Sequence, residues 1–182
     1  MSESGPNSNP SSGPNSGPDS GWRPAGPFDV ALLAELNHRC FAAAEGFAGA
    51  PWSARSFAEV LALPGAFGLI ALCGPDHPAG FALVQVVVDE AELLTLGILP
   101  TFRRSGRGGL LLRAALGGAA QRGATRIQLE VAANNLAAQT LYRRAGFQAA
   151  GRRRNYYLDS RGARLDALLL ARPLTAAAGW ES

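Results

Sequence analysis

The sequence predicts a mixed α/β fold, α+β in its segregation of elements, and three observations carry that prediction. Apolar runs with strand character alternate irregularly with runs of helical period, in the order β-α-α-β-β-β-α-β-α-β-β. Three consecutive strand candidates lie between residues 67 and 99 with only turn-forming residues between them. One strand then runs directly into a glycine- and arginine-rich loop that opens a helix.

Residues 1–21 are almost wholly Ser, Gly, Pro and Asn. Such a segment cannot bury enough apolar surface to offset its ordering entropy and is expected to be a disordered tail. A folded domain is expected over 22–174, with a flexible tail over 175–182. Trp22-Arg23-Pro24 reads as a short first strand. Asp29 is the expected N-cap of a helix reaching about Ala44, with Val30, Leu33, Leu36 and Phe41 near one face. Ser53 is expected to cap a second helix to about Leu63, closed by Pro64-Gly65.

Phe67 to Leu72 and Gly80 to Val88 read as strands around the turn-rich Cys73 to Ala79, and Asp89-Glu90 turns the chain into a third strand, Glu92 to Leu99. A helix follows from Leu110 to Ala120, weakened by Gly117-Gly118 at about 1 kcal/mol each relative to alanine, so packing has to hold it. Thr125 to Val131 is a strand, Asn134 or Asn135 caps a helix ending at Gly146, and Phe147 to Tyr157 with Ala163 to Leu170 form a hairpin around Asp159-Ser160-Arg161-Gly162.

The 182 residues suit one domain with a substantial core. A net charge of +3, carried almost entirely by arginine, is too mild to argue for nucleic acid. Cys40 and Cys73 are far apart and lack histidine partners at ligand spacing, so no zinc pattern exists and no metal is expected; each reads as a buried small apolar residue. His38 and His77 receive no role. No apolar run reaches membrane-spanning length and no signal-peptide core is visible, so the expectation is a cytoplasmic protein with no membrane partner.

Chemistry concentrates in Arg103-Arg104-Ser105-Gly106-Arg107-Gly108-Gly109. A loop opening a helix presents unpaired N–H groups backed by the helix dipole, which is a geometry for phosphate. The lysine of a P-loop is missing, and Arg103-x-x-Gly106-x-Gly108 is not the dinucleotide fingerprint. The bland alternative is a strand-to-helix turn with solvated arginines. Further along, Ile127 to Val131 alternates, so Gln128 and Glu130 share a face opposite Ile127, Leu129 and Val131. Glu130 reads either as a solvent-facing residue of an edge strand or as an acid–base group, and Tyr142 as a packing aromatic or a proton donor.

Arg103-x-x-Gly106-x-Gly108 resembles the acyl-coenzyme A pyrophosphate motif of the GNAT N-acetyltransferases. Asn135-x-x-Ala138-x-x-Leu141-Tyr142-x-x-x-Gly146-Phe147 is similar to a second signature of that superfamily. Pro51-Trp52-Ser53, Phe57, Asn155-Tyr156-Tyr157 and Asp166-Ala167 resemble its RimI branch, whose members acetylate the N-terminal alanine of a small-subunit ribosomal protein.

The resemblance implies a twisted, mostly antiparallel sheet flanked by helices, with splayed central strands that bind acetyl-CoA as co-substrate. It implies Glu130 as general base and Tyr142 as general acid. Leu96, Gly97 and Ile98 would offer backbone to the pantetheine arm, with Gly97 allowing close approach or marking a bulge. Arg103, Arg104, Ser105, Gly106, Arg107, Gly108 and Gly109 would cradle the pyrophosphate. Asn135 would contact the same ligand while Asn134 caps the helix, and Tyr156 and Tyr157 would border the acceptor groove.

The branch often carries arginine and serine after Leu-Glu-Val, where this chain reads Ala132-Ala133-Asn134, and the N-terminal tail is an addition. The implied reaction is acetyl transfer in a ternary complex to a protein N-terminus, by a monomer or weak dimer with no direct nucleic-acid partner. The competing readings are a GNAT acting on a small-molecule amine and a noncatalytic acyl-CoA-binding protein.

Overall fold

The computed structural model describes residues 21–41, 52–158 and 162–174. The 1–20 and 175–182 tails, the end of the first predicted helix at 42–44 and most of the last hairpin's turn lie outside them.

A single seven-stranded sheet organises the chain: β1 (Trp22–Ala25), β2 (Ala66–Leu72), β3 (Pro78–Val87), β4 (Glu90–Ile98), β5 (Arg126–Ala132), β6 (Gln148–Leu158) and β7 (Arg164–Pro173). Their spatial order is β1-β2-β3-β4-β5-β7-β6, and only the β4–β5 contact is parallel. The helix α3 (Arg107–Gln121) supplies the crossover for that parallel pair, as a parallel connection requires. β5 therefore lies inside the sheet, not at an edge.

Two apolar layers hold the helices. On one face Leu111, Leu112, Ala115 and Ala119 of α3 and Tyr142 of α4 (Leu136–Arg144) pack on Phe67, Leu69, Val84, Ile127 and Leu129. On the other, Leu33, Leu36 and Cys40 of α1 (Val30–Phe41) and Phe57 of α2 (Ala54–Leu61) pack on Ile70, Phe81 and Leu83. Phe57 meets Phe81 edge-on with ring centroids 5.7 Å apart, a favourable quadrupole arrangement.

Helix boundaries correct several expectations. Asp29 does not cap α1 as its first flanking residue. It ends a 3-10 turn, Pro27–Asp29, and its carboxylate reaches back to the Gly26 N–H at 2.7 Å while pairing with Arg23. Ser53 does cap α2, accepting from the Ser56 N–H, but α2 stops at Leu61, ahead of the Pro64-Gly65 break. α3 begins three residues before Leu110, because Gly106 adopts φ +81° and lets the chain turn straight into the helix. Cys40 is buried as expected, whereas Cys73 is only half-buried and donates to the His77 carbonyl in the β2–β3 turn.

The strand β4 carries the feature that matters most. Leu83 pairs with Thr95 and Val84 with Leu93, leaving Leu94 as an extra residue. A bulge of this kind bends the strand and strengthens its twist. It also reverses the alternation: Ala91 and Leu93 face the α3 layer before it, and Leu96 and Ile98 after it. β4 and β5 stay paired only through Glu90↔Arg126, Ala91↔Ile127 and Glu92↔Gln128. Beyond these positions β4 follows β3 and β5 follows β7, and the sheet opens into a wedge between them.

Candidate active site

The wedge is bounded below by the last β4–β5 pair and above by the loop entering α3. That loop is a 3-10 turn, Pro100–Phe102, followed by Arg104 at φ +64° and Gly106 at φ +81°. Ser105 Oγ donates to the Phe102 carbonyl at 2.6 Å and closes the turn. No side chain caps α3, and the first intrahelical bond of this loop is Leu110 N–H to the Gly106 carbonyl. The N–H groups of Arg107, Gly108 and Gly109 are thus left for a ligand, at the positive end of a 15-residue helix. A Cβ built on Gly106 would meet nothing within 4 Å, so the space over that residue is open.

Other expectations for this loop need correction. A Cβ on Gly108 would point inward, 3.5 Å from Leu141 and 3.7 Å from Ile98, so Gly108 serves helix packing as well as the loop. The Gly97 notch does not open toward a ligand and Gly97 is not the bulged residue. A Cβ there would lie 2.9 Å from Cys40 and from Phe81, so the missing side chain makes room for α1 against β4. Arg103 and Arg107 are not free phosphate clamps. Arg103 donates from Nε to the Ile98 carbonyl and from Nη2 to the Cys40 carbonyl at 2.8 Å, tying loop, β4 and α1 together. Arg107 Nη1 donates to the Leu72 carbonyl at 2.6 Å, while its Nε is buried without a partner among the described residues. Arg104 remains exposed.

Glu130 stands two residues past the last β4–β5 pair, on the wall of the wedge that faces away from the α3 layer. Its carboxylate is 20% exposed and pairs with Arg153 Nε of β6 at 3.0 Å. At the base of the wedge, in the last β4–β5 pair, Glu92 adds a second carboxylate, which the sequence pattern did not single out. Burial pushes its pKa up, the Glu130 charge adds to that, and Arg153 opposes it. Arg153 also lies over the Tyr156 ring at 5.2 Å.

Tyr142 comes from the other layer. It packs edge-on against Phe147 with centroids 5.7 Å apart and is 7% exposed. Burial pushes the Tyr142 phenol well above its ordinary range, and the neighbouring Tyr157 phenol adds to the shift. Tyr157 itself is pushed up to about 12, first by burial and then by the Glu130 charge. Glu130, Tyr142 and Tyr157 thus share one electrostatic neighbourhood although they arise from β5, α4 and β6.

The cap of α4 is Asn135, whose Oδ1 accepts from the Ala138 N–H at 3.1 Å, and not Asn134. That bond occupies one oxygen of the residue expected to touch the ligand and leaves its amide NH2 outside the capping contact. Gln139, buried and unremarked in the sequence, donates from Nε2 to the Ala132 and Ala133 carbonyls, so α4 is fastened to β5 just where β5 leaves the wedge.

The structure therefore brings together an uncapped helix N-terminus, a wedge in the sheet, a carboxylate on one face of the sheet and a buried phenol in the layer on the other. Open space over Gly106 beside three N–H groups at the start of α3 fits an anionic pyrophosphate. Among the described residues no cluster of metal-ligating side chains and no helix long and apolar enough to cross a membrane is found.

This fold and this opening between parallel neighbours are those of an N-acetyltransferase domain, and the acetyltransferase (GNAT) family model matches residues 31–147; the chain belongs to that family. Within it, the chain is 41% identical over 104 residues, 57% of its length, to the [ribosomal protein bS18]-alanine N-acetyltransferase of Salmonella typhimurium, covering 70% of that protein. The crystal structure of the ribosomal-protein-S18-alanine N-acetyltransferase from Escherichia coli superposes with a TM-score of 0.74 at 30% identity, covering 88% of this chain and 97% of that one. The fold alone is shared with yncA from Salmonella typhimurium, an acetyltransferase solved with its cofactor acetyl-CoA, at 19% identity and a TM-score of 0.71 over 88% of this chain and 97% of that one.

Proposed function

We propose that this protein transfers the acetyl group of acetyl-CoA to the α-amino group of a protein N-terminus, with the N-terminal alanine of a small-subunit ribosomal protein as its acceptor. The observation that carries the reading is the electrostatic neighbourhood that Glu130 and Tyr142 share through Tyr157, beside a sheet that opens near an uncapped helix N-terminus. The names of the relatives at 41% and 30% identity point to the acceptor.

Acetyl-CoA, when bound, supplies the acetyl group as a thioester. The free N–H groups of Arg107, Gly108 and Gly109 and Arg104 hold its pyrophosphate in the open space over Gly106, and the Leu96–Ile98 backbone and the Asn135 amide line its path into the wedge. Glu130 accepts the proton that the acceptor's ammonium must lose. It is held by Arg153 until then, so the incoming ammonium replaces one cation by another and the carboxylate is never left unpaired. Tyr142 carries its proton at neutral pH, as a phenol does, burial only holding it more firmly, and it delivers that proton to the departing sulfur. Tyr156 and Tyr157 border the acceptor. The reaction needs no metal, and a ribosomal acceptor places it in the cytoplasm, carried out by a monomer or weak dimer with no direct nucleic-acid contact.

The test is turnover of acetyl-CoA with a panel of N-terminal peptides and small amines. Acetylation of an alanine-starting ribosomal peptide in preference to free amino acids, polyamines and aminoglycosides is the expected result. A preference for a small amine would overturn the acceptor assignment.

A further inference from the structure

The acceptor side of the wedge depends on an irregularity in the last hairpin. Between the pairs Arg153↔Ala167 and Tyr157↔Leu165, β6 advances four residues while β7 advances two. Two residues are therefore extruded, and Asn155 within the extrusion adopts φ +56°. In regular pairing Asn155 would stand opposite Leu165, and Tyr157 would lie two residues, about 7 Å, further down the strand. The extrusion replaces an asparagine by a tyrosine at the position next to Arg153, on the face that Glu130 shares.

One side chain fastens this arrangement. Asp166 Oδ1 accepts the Asn155 N–H at 2.8 Å, and Asp166 Oδ2 accepts Arg152 Nε at 2.6 Å. Its carboxylate thus grips the extruded segment and the residue just before Arg153. Its own carbonyl accepts the Ala133 N–H at 2.9 Å, which links the same residue to the exit of β5. Asp166 faces neither Glu130 nor Tyr142 by any contact, so it acts through the residues it holds. We propose that Asp166 is a positioning residue for the acceptor: its carboxylate locks the two-residue extrusion of β6 and thereby sets Arg153 and Tyr157 against Glu130. The inference rests on the reading of Tyr157 and Arg153 as acceptor-side groups.

The experiment compares Asp166→Ala, Asp166→Leu and Asp166→Asn in the full chain, reading peptide KM, kcat, acetyl-CoA affinity and amide hydrogen exchange at Asn155 and Tyr157. Asp166→Ala is expected to raise peptide KM about tenfold or more, to leave acetyl-CoA affinity within twofold, and to accelerate exchange at Asn155 at least tenfold. Asparagine keeps an oxygen for the Asn155 N–H and is expected to restore most of the KM. If the alanine variant does not fold, the near-isosteric Asp166→Leu carries the same readouts. Wild-type peptide KM with slow Asn155 exchange would overturn the proposal, and so would parallel loss of peptide and acetyl-CoA binding, or asparagine failing as badly as alanine. If the wild type acetylates no peptide, the acceptor reading has failed on its own, and exchange at Asn155 still decides whether Asp166 is the lock.

Discussion

Gly106→Val tests the loop where the geometry is least ambiguous. The residue sits at φ +81°, and a Cβ added there meets no protein atom within 4 Å, so steric repulsion inside the protein contributes nothing. What remains is the left-handed backbone, which costs an L-residue about 1–2 kcal/mol and a β-branched one at the upper end. For a chain of this length that corresponds to a fall in Tm of about 2–8 °C. The isopropyl group meanwhile projects into the open space beside the free N–H groups of α3. If the pyrophosphate sits there, affinity for acetyl-CoA drops at least tenfold, which is about 1.4 kcal/mol.

Gly108→Val provides the contrast. Its side chain drives into Leu141 and Ile98, and overpacking of this kind costs about 1–3 kcal/mol of stability. Because the group points into the protein and not into the open space over Gly106, its affinity for acetyl-CoA should fall less than that of Gly106→Val. Calorimetric titration with acetyl-CoA, alongside thermal melts of both variants, checks the pair. A folded Gly106→Val that binds acetyl-CoA as the wild type does would show that the ligand lies elsewhere, and the placement of the whole loop would be wrong.

Glu130→Gln and Tyr142→Phe are each expected to lower turnover by roughly 10²–10⁴-fold, the range of general acid–base groups, with acetyl-CoA affinity retained in Tyr142→Phe; rate–pH profiles of both decide it. Gly117→Ala, whose Cβ meets nothing within 4 Å, should raise Tm by about 2–4 °C, whereas Gly118→Ala, with the Phe67 ring 2.8 Å from its Cβ, should lower it. The Asp29 carboxyl is held below its ordinary range, first by the Arg23 hydrogen bond and then, against the cost of burial, by the Gly26 N–H. Its stabilisation is therefore complete above the unfolded value near ~4 and is lost as pH falls through the lower folded value, so Asp29→Asn should flatten the acid side of a Tm–pH curve. Deleting residues 1–20, chosen on composition, should leave Tm and turnover nearly unchanged.

What could be read from the sequence follows the range of the forces involved. Caps and turns are local, so Ser53, Pro64-Gly65 and the glycines before α3 marked their elements within a residue or three. The motif around Gly106 could be placed at a helix start because strand, loop and helix are contiguous. The targets of its arginines could not, since Arg103 reaches a carbonyl 63 positions away on α1. The Leu94 bulge left only a faint trace, two adjacent leucines where the alternation changes phase. That β5 is an interior strand, and that Arg153 pairs with Glu130, depend on β7 inserting between β5 and β6, which no local pattern encodes. Asn134 and Asn135 are equivalent by propensity; only the path of the turn from Ala132 selects the second as cap.

The wedge has a mechanical consequence. Three paired positions at one end are the whole backbone ladder joining the β1–β4 blade to the β5–β7–β6 blade, so the sheet is built like a tuning fork with a short stem. Each prong keeps its own ladder, and beyond the stem motion in their separation is opposed only by the side-chain packing of the helical layer that covers both. A ligand lying between them would act as a cross-brace, damping that motion along both prongs at once. At a concentration one hundred times its Kd such a ligand adds about 2.7 kcal/mol of stability. The added protection should appear symmetrically, at Leu93–Ile98 on one prong and Leu129–Ala132 on the other, while the stem at Glu90–Glu92 gains least.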